Sequence, residues 1–186
     1  MMSDFISKHQ FNGSYMVRKM PNHESLKPVM LSMIESAESE SKKDQFNNLE
    51  QISKYDFSLL DNERPWASLI MEYINGFMAT LPDSILHAGV DMRGIWFQQY
   101  ENGDFHHWHH HAGSNFAGIY YLELPDQNCA TEFVEPFNTS IVKRFNVSEG
   151  DVVLFPASLI HRSPKNDSNQ RKTVIAFNFD FMGLTI

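Results

Sequence analysis

Apolar and polar positions alternate with two different periods along this chain. From His23 to Glu38 the apolar residues are Leu26, Val29, Met30, Met33, Ile34 and Ala37. That spacing is close to 3.6 residues and predicts an amphipathic helix. A second helix is predicted to open at Pro65 and to run through Trp66, Leu69, Ile70, Tyr73, Ile74 and Phe77, stopping before Pro82. Residues 11–20 read as one edge strand closed by Pro21, and the polar segment Ser39–Asn48 as a loop or frayed helical end. From about Arg93 the pattern changes to short β-rich runs: Arg93–Tyr100, Phe105–His109, Phe116–Leu124, Thr131–Val134, Ile141–Val147, Asp151–Phe155, Leu159–Ser163 and Lys172–Phe181. Turn residues separate them, among them Asn102-Gly103, Pro125-Asp126 and Glu149-Gly150. Short strands in this number after two helices predict a mostly β protein, a double-stranded β-helix or jelly-roll barrel of two facing sheets. The helices would cover the outside of one sheet. Residues 1–90 then form a helical and edge-strand support region and residues 91–186 the jelly-roll core of a single domain.

Composition narrows the setting. Fifteen Phe and three Trp in 186 residues supply one core and exclude a disordered chain. Cys129 is the single cysteine, which excludes an internal disulfide and fits a reducing compartment. The stretch MMSDFISKHQ has no apolar core of signal-peptide length, and no apolar run approaches the roughly 18 residues that span a bilayer. The formal net charge of −8 argues against a broad nucleic-acid surface, which needs clustered Lys and Arg. The expectation is a soluble cytoplasmic protein with neither a membrane nor a nucleic-acid partner.

The candidate chemistry is concentrated in histidine. Five of the nine histidines fall between His106 and His111, directly before a run that reads as a buried strand. Imidazole is the commonest protein ligand for a transition metal. Two histidines at i, i+2 on an extended segment share a face and can reach one ion. Both His107-x-His109 and His109-x-His111 have that spacing. A third candidate, His161, follows the bend Pro156–Ser158 in GDVVLFPASLIH. Three ligands on one face would leave other metal positions open for substrate, cosubstrate or oxygen. Arg171 opens the last strand, RKTVIAFNF, and an arginine facing a barrel interior needs an anion to offset its burial.

Taken together, HxH, AGSNFAGIYYL, GDVVLFPASLIH and RKTVIAFNF resemble the iron(II)/2-oxoglutarate-dependent oxygenases over about Trp96 to Phe179. The likeness is strongest to a bacterial and phage group with the signature H-x-H-x-G-S followed by S-G-x-Y-Y. The resemblance implies that His109, His111 and His161 hold iron(II), with His111 where the wider superfamily usually carries Asp. It implies that Arg171 binds the far carboxylate of 2-oxoglutarate, that Tyr121 assists it, and that Gln98 and Tyr100 line the cosubstrate site. The implied activity is a dioxygenase using O2 and 2-oxoglutarate to hydroxylate a small-molecule or peptidyl substrate. Two alternatives stay open on the residues alone. One is a cupin-type three-histidine dioxygenase that needs no 2-oxoglutarate. The other is a non-catalytic barrel whose histidines hold zinc or nothing.

Overall fold

The structure, a computed structural model, describes residues 15–42, 50–59, 64–79 and 89–183. The predicted strand residues 11–14, most of the predicted loop and the helix stop at Pro82 lie outside the described residues. In chain order the elements are β1 (Met16–Lys19), α1 (His23–Ser36), β2 (Glu40–Lys42), β3 (Glu50–Tyr55), α2 (Pro65–Ser68), α3 (Met71–Met78) and β4 (Gly89–Tyr100). They continue as β5 (Phe105–His109), β6 (Phe116–Glu123), β7 (Glu132–Glu135), β8 (Asn138–Arg144), β9 (Asp151–Pro156), β10 (His161–Ser163) and β11 (Lys172–Met182). The strands follow the order β1-β9-β6-β11-β4-β3-β5-β10-β7-β8, with β2 paired to β3. The sheet curls on itself, and the result is the jelly-roll architecture expected from the strand pattern.

Strand β3 belongs to both halves of the curl. Lys54 and Tyr55 pair with Gln99 and Gln98 of β4, while Glu50 and Gln51 pair with His106 and Phe105 of β5. The apolar pattern gave no sign of it, because Ile52 and Tyr55 are the only apolar residues in EQISKY. The segment read as a loop likewise contains β2. The second helix is also broken, α2 ending at Ser68 and α3 starting at Met71 across a turn at Leu69-Ile70. Strand β8 begins three residues earlier than expected. Its residues before Arg144 are all exposed, so no buried face marks its limits in the sequence.

Two cores follow from the strand alternation. Tyr120 and Leu122 of β6 point outward, to pack with Met30, Ile34, Trp66 and Ile74 of the helices. Ile119 and Tyr121 point inward, to join Phe133, Phe145 and Phe155 between the sheets. With both faces buried, β6 reads as a continuous apolar run instead of an alternation. Gly118 on β6 is required by this packing, since a Cβ there would lie 2.2 Å from the Phe177 ring. Helix α1 is tied down at its start by His23, whose Nδ1 lies 2.7 Å from the Tyr120 hydroxyl. Among the described residues no helix is long and apolar enough to cross a membrane.

Candidate active site

Strands β5 and β10 run antiparallel with His109 opposite His161. His111 follows just past the end of β5, its backbone N–H donating to the Ala157 carbonyl at 2.9 Å. The candidate ligand atoms of His109, His111 and His161 all lie within 4.8 Å of one another. Two of these rings are oriented by main chain. His109 Nδ1 is 2.7 Å from the His107 carbonyl oxygen, and His161 Nδ1 is 2.8 Å from that of Leu159. A carbonyl only accepts, so each Nδ1 carries the proton and each Nε2 keeps its lone pair. Burial is the main cause that lowers His109 to about 3 and His111 to about 4, and it holds His161 well below the usual imidazole range. The three rings are therefore neutral at physiological pH, the form that binds metal.

The pairing of β5 with β10 also settles which other histidine faces inward. His161 and Ser163 are two residues apart, but their partners His109 and His106 are three apart, so β5 carries an extra residue. Simple alternation would turn His107 inward with His109. The bulge turns His106 inward instead, and His107 and His110 are exposed. The His106 ring stacks on His109 with centroids 4.1 Å apart, and its Nε2 lies 3.1 Å from Glu50 Oε2. Hydrogen bonding to His106 is the leading cause that lowers the Glu50 carboxyl to about 2, against its partial burial.

A cavity of about 370 Å³ opens from the histidine cluster into the barrel. Besides the three histidines, Gln98, Tyr100, Thr131, Ser163 and Lys172 line it. Lys172 is fully buried. Its Nζ donates to Ser163 Oγ at 2.8 Å and sits 5.1 Å from the centre of the Tyr100 ring. Burial pulls the Lys172 ammonium down to about 7. The Tyr100 hydroxyl donates to Gln98 Oε1 at 3.1 Å.

Arg171 does not face this cavity, contrary to expectation. Its Nε lies 2.8 Å from Glu123 Oε2, and Glu35 of α1 accepts from its Nη1, so it ties the helix layer to the sheet. Successive strand residues point to opposite faces, and in the pair Arg171-Lys172 the register places the lysine inside. Tyr121 is not a lining residue either. It is buried in the inner core, where its hydroxyl accepts from the Thr131 N–H at 3.2 Å and so holds a lining residue in place. Lys172 was missed through its neighbour. Ser163 could have been found at i+2 from His161 on one strand, whereas His106 was hidden by the bulge.

A family model described as "Putative 2OG-Fe(II) oxygenase" matches residues 94–148, which include His109 and His111. Over that segment the chain is similar to the 2OG-Fe(II) oxygenases. No curated protein sequence matches it. Solved structures match its fold over nearly the full length. A Pseudomonas putida prolyl-4-hydroxylase is 9% identical, with 98% of this chain and 100% of that chain covered at a TM-score of 0.66. The α-ketoglutarate-dependent epimerase SnoN from nogalamycin biosynthesis is 12% identical, covering 98% and 86% at 0.70. The viral collagen prolyl hydroxylase vCPH of Paramecium Bursaria Chlorella virus-1, in its 2OG complex, is 11% identical, covering 89% and 94% at 0.58.

Proposed function

We propose that this protein is an iron(II)- and 2-oxoglutarate-dependent oxygenase that hydroxylates a C–H bond of its substrate, with His109, His111 and His161 holding iron and Lys172 anchoring the far carboxylate of 2-oxoglutarate. The observation that carries the reading is Lys172 itself. Among the described residues it is a fully buried cation with no carboxylate at ion-pair distance, and it lines the same cavity as the histidine cluster. An unpaired buried ammonium costs several kcal/mol, which a bound carboxylate offsets. The donor set also fits iron(II): three neutral imidazoles, at least two with free Nε2 lone pairs, suit a divalent transition metal. When bound, iron and 2-oxoglutarate supply the oxidation, in which O2 is consumed, the keto acid is decarboxylated to succinate and CO2, and one oxygen atom enters the substrate C–H bond.

The protein's own part is placement. Lys172 and Ser163 would grip the far carboxylate, and Tyr100 would add a hydroxyl beside it. Ile119, Phe155 and Val174 line the cavity with apolar surface that limits water. Arg171 serves structure instead, and the role first given to it passes to its neighbour. A three-histidine dioxygenase without a cosubstrate has no use for a cation in this cavity, so Lys172 favours the 2-oxoglutarate reading.

The test is cosubstrate affinity at equal iron loading, read anaerobically from the visible charge-transfer band. Lys172→Ala is expected to keep iron but lose the equivalent of about 3–5 kcal/mol, more than a hundredfold, in 2-oxoglutarate affinity. Arg171→Ala should bind 2-oxoglutarate like the parent. Equal affinity in the parent and Lys172→Ala would sink the anchor assignment. Oxygen uptake without succinate release would favour the cosubstrate-free alternative.

A further inference from the structure

We propose that Asn178 is the positioning residue of the third ligand: its side-chain oxygen accepts the Nδ1 proton of His111 and leaves His111 Nε2 to bind the metal. This rests on reading the three histidines as ligands.

His109 and His161 each place Nδ1 on the carbonyl oxygen two residues earlier, His107 and Leu159. His111 lies past the end of β5 and has a different partner. Its Nδ1 faces the side-chain amide of Asn178, 67 positions along the chain, at 3.2 Å. Asn178 is held on both sides by the sheet, opposite Gly94 of β4 and Ala117 of β6, and it lines the same cavity. The amide nitrogen is drawn toward the ring, and the amide oxygen is buried with no partner. Amide oxygen and nitrogen have nearly the same shape, and their assignment follows from hydrogen-bond chemistry. A nitrogen facing Nδ1 would donate, forcing the ring proton onto Nε2, where it would block a bond to metal. An oxygen facing Nδ1 fixes the proton there and frees Nε2. Turning the amide moves the unmatched atom from oxygen to nitrogen, so hydrogen-bond count does not choose between the orientations. The lone pair needed on His111 does. The arrangement has a practical corollary: two ligands are oriented by main chain, which no substitution removes, while the third is oriented by one replaceable side chain.

Cobalt(II) is a suitable probe, because each imidazole bound through Nε2 gives a hyperfine-shifted Nδ1–H proton signal in water that disappears in heavy water. Parent protein is expected to show three such signals. Asn178→Asp presents an oxygen in either orientation and should keep all three, with cobalt affinity at least equal to the parent's. Asn178→Leu should lose the His111 signal to solvent exchange and bind cobalt about 10–100-fold more weakly. A lost signal and weakened affinity in Asn178→Asp would overturn the proposal, since only a donating nitrogen would be missed there. So would three signals and parent affinity in Asn178→Leu. A parent with fewer than three signals would instead remove His111 from the ligand set, and the proposal with it.

Discussion

Lys172 is a cation kept where water cannot reach it, and that has a pH signature. Free of ligand, it is held near 7, chiefly by burial; Arg144 lowers it further, while Cys129 and Glu132 act in the opposite direction. A bound carboxylate raises it again, so above about pH 7 the complex holds a proton that the free protein lacks. Affinity for 2-oxoglutarate should therefore be flat below about pH 6 and fall as pH rises past 7, toward tenfold per unit. Calorimetry in two buffers of different ionisation enthalpy should find close to one proton taken up at about pH 8 and almost none at about pH 6. Uniform affinity and no proton uptake across that range would place the carboxylate elsewhere. The residue types of the site were legible in the sequence, but the faces were less so. Arg171 and Lys172 are adjacent cations, and only the pairing of β11 with β4, Lys172 opposite Tyr100, decides which one is inside.

The elements were legible where one period ran long enough to fix a face, as in α1 and β6, and illegible where it did not. Strand β3 is polar at four of its six positions and owes its conformation to pairing with its neighbours. The bulge in β5 is invisible to any count of alternating residues, and it exchanges His107 for His106 at the cavity wall. Gly118 reports the opposite case, a strand position that packing determines tightly. A methyl group there would meet two Phe177 ring atoms at 2.2 and 2.3 Å and Leu154 at 2.9 Å. Gly118→Ala is expected to cost about 1–3 kcal/mol, read as a lower urea midpoint at unchanged slope. A midpoint equal to the parent's would mean that the Phe177 ring has room to swing aside.

For the whole molecule, the barrel draws strands from both the expected support region and the expected core. Strand β1 borders β9, and β3 closes the wall between β4 and β5. The jelly roll could still be foreseen, because the later strands carry most of its apolar alternation. The contribution of β3 could not, because it brings hydrogen bonds and little apolar surface. This makes the barrel mechanically uneven. Among the described residues, strands β11 and β4 are joined by eleven residue pairs, whereas β3 is stitched by two pairs to β4 and two to β5. Local opening starts where few bonds and little apolar burial resist it. Amide protons of β3 that bond to β4 and β5 should exchange with solvent faster than those at the centres of β6 and β11, and bound iron should slow them by way of His106 and His109. Equal protection along β3 and β11 would show the barrel opening only as a unit. Otherwise the seam works as a side door, through which the cavity can breathe while the helix-facing core stays shut.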